Sequence, residues 1–272
     1  GNGFGPLLEI VAEFLQSGLL ALNRGLANHM EKVQLEYMEQ FVTANWEDFN
    51  AHPDKRALAY LLARRLAKSL ASEHIHELAG FLGEVLEKDA QPTTSTDLVH
   101  PMQLYIIPPI GSDFLTGDIV KGNVKGKDGL WVVLTPSCDL VTGRNRSVKA
   151  EYVQLAFCRP LSDFSEYTDW LNQPTAKKRR EALQNLLGNN RRSGQSDRYH
   201  YLPGVFNIPH LVVDFQQVDH IPHAELKEST QPLASLDSPY AESLLGRYNR
   251  YCARFGTPDL DFSAVLKNLE NK

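Results

Sequence analysis

Two groups of residues in this chain have the types and spacing to do chemistry. The first is Ser137-Cys138-Asp139, where the apolar run Leu130 to Leu134 ends abruptly in a polar turn. Cys138 could act as a nucleophile or ligand, with Asp139 beside it and Arg144 and Arg146 just beyond to hold an anion. A thiol attacks only as thiolate, however, and an adjacent carboxylate opposes that ionisation. The other reading has Asp139 bonding backbone in the turn and Cys138 packing as a small hydrophobe.

The second group is basic. Lys177, Lys178, Arg179 and Arg180 are followed by Arg191, Arg192 and Arg198, with Tyr199 and Tyr201 close by. Clustered cations gain affinity for a phosphate backbone by releasing counterions, and exposed tyrosines can stack on unpaired bases. Four consecutive charges on a helix point around most of its circumference, so a solvated helical arm fits the same residues. Charge is spread unevenly in the same sense: the net is −5 overall, −6 over residues 1–100 and +6 over residues 121–200. The basic segment is the one to meet a polyanion.

Other motifs point away from common chemistries. His74-Ile-His76 has the wrong period for two ligands on one helical face, and no H-E-x-x-H follows. His200, His210, His220 and His223 lie among carboxylates such as Asp214 and Asp219, without a spacing that selects one pair for acid–base work. Phosphate-cradling glycine loops and a G-x-S-x-G elbow are missing from the sequence. Neither a metal nor a cofactor is expected.

These residues need elements to position them. From Pro6 to about Asn50 apolar residues recur at helical spacing, with Gly18 and Gly25 marking a break or a weakened stretch. His52-Pro53-Asp54 ends that segment and Asp54 caps the next helix, about Lys55 to Ala71; a further helix is predicted over His76 to Lys88. The polar stretch from Ala90 to Leu98 reads as a linker. Beyond it, β-type runs at Gln103–Ile107, Asp118–Val124, Leu130–Thr135, Tyr152–Phe157 and Leu211–Val218 favour an antiparallel sheet or small barrel. Residues 162–188 form a helical insertion, and an amphipathic helix over Pro239 to Phe255 precedes a last short one. The expected fold is α+β: a helical region over residues 1–90, a β-barrel-like module over 99–235, and C-terminal helices over 236–272.

Two stretches carry a resemblance. Gly117-Asp-Ile-Val120, a short ribbon, and Trp131-Val-Val-Leu-Thr-Pro-Ser137 resemble the opening strands of the MazF/PemK-type small β-barrel, a fold of toxin endoribonucleases and related non-toxic modules. The likeness covers about residues 116–140. Those toxins carry an arginine immediately before the second strand, where this chain has Gly129-Leu130, so the resemblance implies the barrel rather than RNA cleavage. A wider one joins Thr135-Pro-Ser-Cys-Asp-Leu140, Tyr201-Leu-Pro203 with Val212-Val-Asp-Phe215, and Ser238-Pro-Tyr240 through Arg254-Phe-Gly-Thr-Pro-Asp259. This combination is similar to the C-terminal module of bacterial response-receiver and conflict-system proteins. It implies a signalling or defence output module and an upstream receiver domain absent from this sequence, which starts at Gly1 rather than Met.

Three readings follow: a regulatory or interaction module that binds a partner or nucleic acid, a nuclease using the barrel, and a structural scaffold. The apolar helix faces of residues 1–90 predict a homo-oligomer. Three cysteines without a C-x-x-C pair, and no apolar run near 20 residues, predict a cytoplasmic protein without a membrane span.

Overall fold

The computed structural model describes residues 9, 11–12, 15, 18–72, 75–86, 99–143, 145–191, 196–255 and 260–270. The chain divides into two units, residues 1–95 and 96–272. Among the described residues, no helix is long and apolar enough to cross a membrane.

The first unit is helical: α1 (Leu19–Glu36) runs into a π-helical segment, Tyr37–Thr43, followed by α2 (Trp46–Ala51), α3 (Lys55–Ser72) and α4 (Ile75–Leu86). Gly18 lies in the left-handed region, φ 76°, and starts α1, so it is a boundary. Gly25 is not. It sits inside α1 against α4, where a Cβ would come within 1.7 Å of the Phe81 ring. Gly25, His29 and Val33, four residues apart, form the buried stripe of α1. Asp54 caps α3 as its position predicts, its Oδ1 accepting the N–H groups of Arg56 and Ala57. The predicted helix start at Pro6 and the linker, residues 90–98, lie outside the described residues.

The second unit is built on one seven-stranded antiparallel sheet: β1 (Tyr105–Ile106), β2 (Asp118–Val124), β3 (Lys127–Val133), β4 (Tyr152–Pro160), β5 (Tyr199–Leu202), β6 (Leu211–Pro222) and β7 (Thr230–Leu236), in the order β1-β7-β2-β3-β4-β6-β5. Its helices are α5 (Ser137–Leu140), α6 (Ser165–Asn172), α7 (Lys177–Leu187), α8 (His223–Ser229), α9 (Tyr240–Cys252) and α10 (Phe262–Glu270). The α+β class with a helical insertion and C-terminal helices is therefore the observed one.

Period-two alternation gives the sheet two buried faces. On one, Ile119, Val132, Ala156, Val213 and Leu236 pack with Leu244 of α9. On the other, Val120, Trp131, Leu155 and Ile221 pack with Leu226 of α8, while α6 and α7 cover the β5–β6 edge through Tyr167 and Trp170 of α6 and Leu183 and Leu186 of α7. The edge strand β1 is drawn toward the chain leaving β5 by a buried bond from the Tyr105 hydroxyl to the Pro203 carbonyl, 2.7 Å. Close approach is bought by glycine at one crossing: a Cβ on Gly122 would lie 2.1 Å from the Ser229 carbonyl oxygen.

Candidate anion-binding cleft

The side chains that converge in the second unit belong to three segments distant in sequence. The first is the end of α7. Asn189 adopts the left-handed conformation, φ 57°, and the Asn190 N–H donates back to the Asn185 carbonyl at 2.7 Å, which closes the helix and gathers three asparagines at its end. The second is the turn Ser196–Arg198, which carries Asp197 into β5. The third is α9, where Arg247 and Arg250, three residues apart, share a face.

Together Asn185, Asn189, Asn190, Arg191, Asp197, Arg247 and Arg250 line a cleft of about 560 Å³. Arg247 is buried and fully engaged. Its Nε donates to the Tyr199 carbonyl at 2.7 Å and its Nη2 to the Asn189 carbonyl at 2.6 Å, while Nη1 stands 3.8 Å from Asp197. These bonds tie α9 to β5 and to the end of α7. Arg191 pairs with Glu166 at 2.6 Å. Arg250 differs: its side chain is 61% exposed and its described partner is Asp197, at 3.6 Å. The cleft thus has three guanidinium groups to one lining carboxylate, and the cation least committed to the fold stands at its surface.

Asn189 also lines an adjoining cavity of about 350 Å³, walled by Leu104, Leu187, Leu202, Pro203, Tyr201, Tyr240 and His200 among others. Its Oδ1 accepts the Tyr201 N–H at 2.7 Å. His200 is buried, and its Nδ1 has no hydrogen-bond partner. Burial first, and then the positive charges of Arg247 and Arg250, push its pKa down to about 3, so the ring is neutral at physiological pH.

The structure places the basic residues singled out in the sequence in different roles. Lys177, Lys178 and Arg180 are exposed on α7, and Lys177 lies 3.9 Å from Glu181. Arg179 donates to the Asp169 carbonyl at 2.9 Å. Arg198 makes two 2.7 Å bonds to the buried Asp214 carboxylate. Tyr199 is half-buried, with the Arg191 and Arg198 guanidinium carbons 5.0 and 4.7 Å from its ring centroid and Phe164 packed edge-on at 5.3 Å. The fold has already supplied its stacking partners. Arg192 lies outside the described residues.

In the polar turn after β3, Ser137 Oγ accepts the Thr116 N–H at 2.9 Å and donates to Thr116 Oγ1 at 3.1 Å. The Asp139 carbonyl accepts the N–H groups of Lys149 and Ala150. Cys138 is exposed, its Sγ 3.7 Å from Asp139 Oδ1. Arg146 exchanges two backbone bonds with Gly143 at a hairpin tip. Arg144 lies outside the described residues. Ser137 thus ties this turn to the residues before β2. Among the described residues, no three His, Cys, Asp or Glu side chains are grouped to hold a metal ion.

Sequence reasoning missed Arg247, Arg250, Asp197 and the three asparagines. The i, i+3 arginine pair on an amphipathic helix was visible, as was Gly188-Asn-Asn190 as a helix stop. Their meeting was not, because it depends on how α9 crosses the sheet. No protein-family model, curated protein or solved structure matches this chain.

Proposed function

We propose that the second unit is a recognition module that binds an anionic ligand in the arginine–asparagine cleft, as the output part of a cytoplasmic bacterial signalling or defence protein. The observation that carries the binding is Arg250, an exposed guanidinium lining the cleft whose described partner is Asp197, beside the buried Arg247 that two main-chain carbonyls fix. An exposed guanidinium beside asparagine carboxamides suits phosphate or carboxylate oxygens. The regulatory placement rests on the sequence resemblance alone. The same reading has the first unit self-associate: Leu19, Leu26 and Met30 are exposed along α1 at spacings of seven and four, a seam that a second copy of the helix complements. Light scattering should then give twice the chain mass; a monomer at micromolar concentration removes that part.

The anion reading is tested by calorimetric titration of inorganic phosphate and by anisotropy of labelled single-stranded RNA and DNA over a salt series. Arg250→Ala should weaken anion binding by the worth of one charge-assisted bond, about 1.5–3 kcal/mol, or roughly 10- to 150-fold. The triple change Lys177→Ala/Lys178→Ala/Arg180→Ala should leave it unaltered. The reverse pattern, with the triple variant losing binding and Arg250→Ala keeping it, would overturn the cleft and favour a nucleic-acid surface on α7.

A further inference from the structure

Resting on that anion-binding reading, we infer that the ligand is a mononucleotide-like molecule, its phosphate in the arginine–asparagine cleft and its base in the adjoining cavity. Four observations support this. The two spaces neighbour each other, with Asn189 in the wall of both. Their chemistry is opposite: the cleft is guanidinium and carboxamide, whereas the cavity is walled mainly by leucine, proline and tyrosine. A ligand that uses both must therefore be anionic at one end and apolar in bulk at the other. Their volumes, about 560 and 350 Å³, lie within the range of small-molecule sites, roughly 300–1,000 Å³.

The cavity wall is also not purely apolar. Ser243 and Tyr240 from α9 and the Asn189 amide stand among the hydrocarbon side chains. An alkyl tail would desolvate these groups without pairing them, which costs affinity, whereas a heteroaromatic ring presents donors and acceptors along its edge and apolar faces to Tyr201 and Leu187. Arg247 is the positioning residue: it fixes the distance between the two spaces by bonding to β5 and to the end of α7, and it need not touch the ligand.

The experiment is calorimetric titration of the full chain with adenosine 5′-monophosphate, ribose 5-phosphate and inorganic phosphate. It is repeated on Arg250→Ala and on Ser243→Trp, which places an indole over the cavity from an exposed position of α9. On the unaltered chain the nucleotide should bind at least tenfold tighter than ribose 5-phosphate. Ser243→Trp should bring the nucleotide down to the level of ribose 5-phosphate without changing phosphate, and Arg250→Ala should weaken all three. If the nucleotide is no tighter than ribose 5-phosphate on the unaltered chain, the nucleotide assignment falls, whatever Ser243→Trp does to folding. Phosphate binding that still depends on Arg250 would then leave the anion cleft standing. Absence of binding by all three ligands overturns both.

Discussion

Replacing His200 by leucine should remove an acid sensitivity from the second unit. In the folded chain His200 is buried beside two arginines and titrates near pH 3, whereas in the unfolded chain a histidine titrates near 6.5. Between these values the unfolded chain holds a proton that the folded one does not, so stability falls as pH falls, by about 1.4 kcal/mol per unit. From pH 7.5 to pH 5.0 the loss comes to about 2 kcal/mol, because the unfolded group begins to titrate only near 6.5. His200→Leu loses no bond at Nδ1, which has none, and puts a buried side chain of comparable bulk in its place. Stability at pH 7.5 should therefore change by less than about 1.5 kcal/mol. The assay is urea unfolding at both pH values, followed by Trp131 fluorescence in a Trp46→Phe/Trp170→Phe background. Each chain gives a difference between the two pH values, and these differences should be about 2 kcal/mol apart. Equal differences in the two chains would refute the reasoning, since they would mean that water or a counter-charge reaches the imidazole and it protonates in place.

Two further outcomes follow from the sheet. Asp214→Asn should cost about 2–3 kcal/mol, at the lower end of what breaking a buried pair costs because Arg198 retains some access to water. Burial alone would raise the Asp214 carboxyl, but Arg198, the Gln216 N–H and Gln217 hold it below its ordinary value. Its contribution is present above the unfolded value of 3.8 and is lost as pH falls below it, a window that overlaps that of His200 only between about pH 3.8 and 3. Urea midpoints from pH 5 down to pH 2.5 would show it, and a variant whose acid limb matches the parent's would refute it. Gly122→Ala places a methyl 2.1 Å from a main-chain oxygen that no rotamer change can move, and should cost about 3 kcal/mol or more. A loss under 1 kcal/mol by thermal unfolding would mean that β2 and the α8–β7 junction slide apart freely.

What the sequence disclosed followed from local rules. Asp118–Val124 is legible as β2 because a β-type run lies there between Gly117 and the Lys125-Gly126 turn, and α6 and α7 because their apolar spacing is helical. β7 was not read, since Thr230-Gln-Pro-Leu carries a proline that argues against a central strand, and the protein resolves this with a register shift in its pairing with β2, between Ile119 and Val120. β5 is four residues long and was visible only as a return to extended chain. β3 begins three residues earlier than its apolar run, because Lys127-Asp128-Gly129 pairs with Gly122-Asn123-Val124 across a tight turn at Lys125-Gly126, and hairpin register extends a strand where hydrophobicity does not. The basic run at Lys177 was conspicuous in sequence because consecutive charges always are. Arg250 was inconspicuous because its significance comes from Asp197, more than fifty residues away.

Arginines at the meeting point of a helix, a strand and a helix end have a structural explanation available, and for Arg247 it is sufficient: three polar partners, little exposure, and a position where its loss would orphan two main-chain carbonyls. Arg191 is explained in the same way by Glu166 and the Tyr199 ring. Arg250 is not, since one exposed contact at 3.6 Å contributes about 1 kcal/mol at most. A cation held where the fold gains little from it, in a cleft lined by carboxamides, is the arrangement expected of a site whose last partner comes from solution. If Arg250→Ala changed stability as much as Arg247→Ala, the distinction would vanish and the cleft would be a joint between elements. Measuring the two variants side by side at neutral pH therefore decides whether any ligand is worth seeking.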